Sequence, residues 1–93
     1  MKRKGDKIMQ KMNLMMKKSG LDFGRARDGA LGTAMKNNPE TFLVAWYDKR
    51  DDRHSPSITC EGGDMPGWEE YGMNHGGNQK ISVNWGEYIF IYT

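Results

Sequence analysis

Tyr88-Ile89-Phe90-Ile91-Tyr92 is a run of five residues drawn only from aromatic and β-branched types, and no other stretch of this chain limits its fold so strongly. Such side chains lose rotamer freedom in a helix and pack well on a pleated surface, so the run predicts a strand. Upstream, Ile81 and Val83 stand two apart, and Asn84-Trp85-Gly86-Glu87 carries the residues of a tight turn. With Trp85 and Gly86 as a two-residue loop, Val83 pairs with Tyr88 and Ile81 with Phe90. These four and Tyr92 then share one face, while Ser82 and Lys80 lie opposite Ile89 and Ile91. One strongly apolar face and one mixed face predict a sheet covered by helices on one side.

A chain of 93 residues has the length of one domain, because halves of it could not bury a core unaided. Twelve glycines and a mean hydropathy of -0.84 imply much turn and little spare core, so Trp46, Trp68 and Trp85 are its obvious large anchors. Cys60 is the single cysteine, which excludes an internal disulfide and fits a reducing, cytoplasmic setting. The apolar runs Thr41 to Tyr47 and Tyr88 to Thr93 fall far short of the ~20 residues that span a bilayer, and no membrane span is expected. Lys7, Lys11, Lys17 and Lys18 interrupt the apolar stretch a signal peptide would need.

Residues 1–20 form a basic, Met-rich segment. Ile8, Met9, Met12, Met15 and Met16 fall within one arc of about 120° at helical spacing, so an amphipathic helix is expected there, with Gly20 as its stop. Leu14 breaks that pattern. The Met face suits either core or a docking surface. Seven Lys or Arg against Asp6 alone give residues 1–18 a net charge of about +6, against +2 for the whole chain. A second helix is expected over 21–38, with Asp22 as N-cap, Phe23, Ala26, Ala30 and Ala34 on one face, and Asn37-Asn38-Pro39 as its end.

The sheet is expected over 40–93. Thr41 to Tyr47 is apolar on both alternating faces, as a central strand requires. Asp48 to Pro56 reads as a long polar connection. A short strand from Ser57 to Glu61 would place Ile58 and Cys60 on one face, and Trp68 to Met73 is favoured as a further strand. The expected fold is therefore α+β, with two N-terminal helices packed on one face of a mainly antiparallel, four- to five-stranded meander sheet.

Several of these segments together resemble a small prokaryotic family of unknown function found largely in archaea and sulfate-reducing bacteria. They are Ala45-Trp46-Tyr47-Asp48, the Ser55-Pro56 step, Pro66-Gly67-Trp68-Glu69, Tyr71, Gly76-Gly77-Asn78 and Gly86-Glu87-Tyr88-Ile89-Phe90-Ile91-Tyr92. The resemblance covers about residues 21–93, from the Leu21-Asp22-Phe23 entry of the second helix, and leaves out the Met-rich arm. It implies a cytoplasmic α+β domain and supplies no activity, cofactor or catalytic residue.

No motif demands one chemistry. His54, Cys60 and His75 are the nitrogen and sulfur ligands for a metal, with Glu61, Asp64 and Glu69 as carboxylates, but their spacings match no standard zinc pattern. Cys60 with a histidine and the Gly62-Gly63 amides has the parts of a nucleophilic site, although alternation with Ile58 also marks Cys60 as core. The pairs Glu69-Glu70 and Asp51-Asp52 would point to opposite faces of an extended chain, so neither forms a dyad there. The leading expectation is a noncatalytic binding or assembly module, a homodimer or a partner of another protein or small ligand, whose surface includes Trp46, Tyr47 and Trp68. A small enzyme or metal protein using His54, Cys60 and His75 is the competing class. Nucleic-acid contact through the basic N-terminal helix is a third, disfavoured because its cations and the aromatics lie in different segments. No cofactor is implied.

Overall fold

The C-terminal run is the central strand of a five-stranded sheet and is hydrogen-bonded on both sides. In the computed structural model, which describes residues 9–57 and 66–93, the elements are β1 (Gln10–Leu14), α1 (Phe23–Asn37), β2 (Leu43–Asp48), β3 (Arg53–Ser55), α2 (Gly67–Asn74), β4 (Gln79–Val83) and β5 (Tyr88–Tyr92). The strand order is β1-β4-β5-β2-β3, with β1 parallel to β4 and every other pair antiparallel. The hairpin register is the expected one, Val83 opposite Tyr88 and Ile81 opposite Phe90.

Alternation along these strands separates two apolar layers. On one face Ile81, Val83, Tyr88, Phe90 and Tyr92 meet Ala26, Ala30 and Ala34 of α1, all of them buried. Three alanines at helical spacing let the α1 backbone lie close to large aromatic side chains, and Asp22 caps its start by accepting from the Arg25 amide at 2.9 Å. On the other face Ile91 and Ala45 meet Trp68 of α2, with Met9, Tyr47 and Ile89 around them. Each buried large side chain contributes about 1.5–3 kcal/mol.

This arrangement corrects the expected fold in three respects. The helices do not both precede the sheet, nor do they share a face. The sheet is mixed rather than an antiparallel meander. The basic N-terminal segment is not a helix where it is described: Gln10–Leu14 is a strand whose Met12 and Leu14 pair with Ile81 and Val83, while residues 1–8 lie outside the described part. Leu14, the residue that spoils the helical arc, lies on the same face as Met12 at strand spacing. Pairing covers the open edge of β4 and partly buries Met12 and Leu14 against the core, which outweighs the weak local preference for helix.

Trp68 to Met73, expected as a strand, lies within the helix α2, Gly67–Asn74. Pro66 leads into it with φ -59°, and Glu69 and Glu70 occupy the first turn, where the helix dipole favours negative charge. Trp68 and Gly72, four apart, face the sheet. The strand expected from Ser57 to Glu61, with Ile58 and Cys60, lies outside the described residues apart from Ser57.

Gln79 is 3% exposed and holds the C-terminal end of α1 to the sheet. Its Nε2 donates to the Ala34 carbonyl at 3.1 Å and to the Thr93 carbonyl at 3.3 Å, and its Oε1 accepts from Asn37 Nδ2 at 3.0 Å. Each buried polar group is thus satisfied, and losing one such partner costs about 1–3 kcal/mol.

Two glycines separate close packing from helix propensity. A Cβ on Gly77 would collide with the Gly72 carbonyl and with Ile91, so Gly77→Ala is expected to destabilise by about 2–3 kcal/mol. Nothing lies within 4 Å of a Cβ on Gly32, so Gly32→Ala should stabilise by about 0.5–1 kcal/mol. Opposite shifts of the urea midpoint at constant slope check both signs.

Burial pushes the Tyr92 phenol up to about 12 from its ordinary 10.0. Above pH 10 the unfolded chain loses this proton first, so stability present below pH 10 is lost as pH rises toward 12, at up to about 1.4 kcal/mol per unit. Denaturation between pH 9 and 12 should show that fall, and Tyr92→Phe should flatten it.

Candidate functional site

Of the residues singled out from sequence, Tyr47 and Trp68 are brought together, whereas Trp46 lies apart from them. Trp68 is 5% exposed and stacks on Tyr47 with centroids 5.5 Å apart and planes within 6°, a contact that seats α2 on β2. Trp46 lies on the opposite face of β2, half-buried, with its centroid 4.6 Å from that of Phe23. Arg53 lies over both rings, at 5.8 Å from Trp46 and 5.7 Å from Phe23. Its Nη2 donates at 2.8 Å to Asp48, whose carboxylate is buried, and this bond holds the guanidinium above the ordinary arginine pKa.

His54 sits on edge strand β3, its Nδ1 at 3.0 Å from the Pro56 carbonyl. His75 ends α2, its Nδ1 at 2.8 Å from the Tyr71 carbonyl and its ring 3.8 Å from that of Tyr71. Cys60, Glu61 and Asp64 lie outside the described residues. Glu69 pairs with Lys80 at 2.7 Å. Among the described residues no group of three His, Cys, Asp or Glu is placed to hold a metal ion.

A different group of side chains is brought together at the tip of the β4–β5 hairpin. Asn84, Trp85 and Gly86 all have positive φ, at 51°, 58° and 102°. Asparagine and glycine tolerate this region, whereas a tryptophan there costs roughly 1–2 kcal/mol. The conformation is held from β1. Met16 N–H donates to Asn84 Oδ1 at 2.8 Å, Asn84 Nδ2 returns a bond to the Met16 carbonyl at 3.0 Å, and Asn84 N–H donates to the Leu14 carbonyl at 2.8 Å. Trp85 N–H donates to Asn13 Oδ1 at 2.8 Å. The side chain of Trp85 is presented to solvent, with the residue 79% exposed.

Beside it lies a cleft of about 390 Å³ lined by Lys18, Lys49, Arg50, Asn84, Trp85 and Glu87. Its walls are tied down. Lys49 N–H donates to the Glu87 carbonyl at 3.1 Å, and the Lys18 carbonyl accepts from Leu21 N–H at 3.1 Å. Arg50 Nη1 donates to the Leu21 carbonyl at 2.7 Å and to the Tyr88 hydroxyl at 3.2 Å. The Tyr88 bond raises the Arg50 pKa, and the charges of Glu87 and Asp51 act in the same direction. Among the described residues neither Lys18 nor Lys49 forms an ion pair. Three cations against Glu87 therefore surround a projecting aromatic ring, an arrangement suited to holding an anion and stacking a flat group.

The sequence places Trp85 in a turn but also counts it among the large core anchors, and its 79% exposure overturns the second expectation. The signal was present: in a tight Asn-Trp-Gly turn the indole belongs to neither strand's inner face, so it must project. The neighbouring Lys18 was legible only as part of a basic segment, because its approach depends on β1 running beside β4.

Asn84 supplies side-chain bonds and a tolerated left-handed backbone. Asn84→Ala should therefore destabilise by about 2–3 kcal/mol, and Asn84→Gly should recover only the conformational part, about 1 kcal/mol. Thermal unfolding of the two variants ranks these contributions.

A crystal structure of a protein from Archeoglobus fulgidus DSM 4304, AF1514, described as a novel non-family-model protein, shares this fold with a TM-score of 0.76 and 28% identity, covering 92% of this chain and 94% of that one. No functionally curated protein shows significant similarity to the chain. The family model for a domain of unknown function, DUF5619, matches residues 9–92, so β1 falls inside the matched region, which the resemblance placed only from residue 21 onward. This chain belongs to the DUF5619 family.

Proposed function

We propose that the domain is a noncatalytic cytoplasmic binding module whose contact surface is the β4–β5 tip, and that it takes an anionic ligand carrying a planar group. The observation that carries this reading is Trp85, 79% exposed in a left-handed turn and flanked by Lys18, Lys49 and Arg50. A large aromatic held outward at conformational cost, by bonds from another strand, is favourable when the ring has something to bind. The groups available there are mainly ammonium, guanidinium and indole, which bind and stack, beside the one carboxylate of Glu87. Among the described residues no helix is long and apolar enough to cross a membrane.

Titration with adenosine triphosphate at low salt should quench tryptophan emission saturably. Trp85→Phe should remove the quenching and Lys18→Glu with Lys49→Glu should weaken it at least about tenfold, while Trp46→Phe should leave it. Absence of both saturable quenching and any shift in melting temperature contradicts the reading.

A further inference from the structure

We infer, building on the tip as a binding surface, that its partner is a single-stranded nucleic acid whose backbone runs across two adjoining clefts while one base stacks on Trp85. A second cleft, of about 400 Å³, is lined by Met16, Lys17, Ser19, Leu21, Arg25 and Asp28. The 16–21 segment is its shared wall with the first cleft: Lys17 lines one side and Lys18 the other, and Met16 is bonded to Asn84. Together the two clefts present Lys17, Lys18, Arg25, Lys49 and Arg50 against Asp28 and Glu87. None of Lys17, Lys18, Arg25, Lys49 and Arg50 forms an ion pair among the described residues.

A mononucleotide would use only one cleft. A strand uses both, because successive phosphates can meet cations on each side of the 16–21 ridge while the ring at the tip offers a face any base can occupy. The charges sit in concave clefts beside two carboxylates, which a flat anionic membrane would have to approach closely. In a strand those carboxylates can accept hydrogen bonds from base amino groups. The fold thus interleaves charge and stacking platform, the combination that the separate sequence segments lacked.

The test is fluorescence anisotropy of a labelled 12-nucleotide oligothymidylate with the full chain, alongside adenosine triphosphate, a duplex of equal length and vesicles containing phosphatidylserine. The expected result is that the single strand binds most tightly, with a slope of log affinity against log salt of about -2 to -3.5, corresponding to three to five phosphate contacts. Trp85→Ala should weaken it by about 5- to 100-fold, and Lys17→Ala or Arg25→Ala should each reduce the slope by about 0.7, with unfolding midpoints near that of the parent. Equal affinity for adenosine triphosphate and the oligonucleotide overturns the strand and leaves the tip as a small-ligand site. Indifference to Lys17→Ala and Arg25→Ala overturns the two-cleft path. Preference for duplex or for vesicles overturns the inference, and no binding to any probe removes the tip reading as well.

Discussion

Asn84 joins two parts of the chain that are far apart in sequence, and the geometry of the β4–β5 tip follows from it. Its amide group mimics a strand partner toward Met16, giving one bond and receiving another, while its main chain bonds to Leu14. An asparagine is suited to this place because its short polar side chain tolerates the left-handed backbone that the turn requires. Once the tip is fixed against the end of β1, the turn that follows, with Lys18 and Leu21, has a defined position. Arg50 then reaches Leu21 and Tyr88 from the β2–β3 turn, so three separate loops converge.

The rest of the fold provides the frame for that convergence. β5 lies between β4 and β2, and its alternate residues feed both apolar layers, so each helix packs on a face of the same strand. Gln79 secures one end of α1 to this frame, and Asp48 with Arg53 secures the β2–β3 turn. Both polar groups are buried with their partners present, which makes these joints specific rather than merely adhesive.

Local chemistry was legible wherever a segment's own pattern agreed with its tertiary role. The Asp22 cap, the Ala26-Ala30-Ala34 face and the Val83–Tyr88 register all follow from spacing and turn type. Residues 10–14 carry a misleading local signal, because Met suits several environments and five apolar side chains fall on a helical arc; only Leu14 points to a strand. In Trp68 to Met73 the aromatics suggest a strand, whereas Pro66 and the paired glutamates begin a helix. Long-range pairing, parallel β1 with β4 above all, has no short-range signal. For the same reason the meeting of Lys18 with Trp85 could not be read from either segment alone, and Trp46, Tyr47 and Trp68 drew attention that the projecting Trp85 merited.

The domain is thus a mixed sheet whose two apolar layers support a rigid, cation-lined end. The tip is preorganised by β1 and does not depend on a ligand for its shape. Amide hydrogen exchange of the isolated protein measures this directly. If the clamp holds, the N–H groups of Met16, Asn84 and Trp85 exchange within about tenfold of the protected amides of β4 despite their position in loops. Exchange of those three within about tenfold of an unstructured peptide, with β4 still protected, would contradict the account.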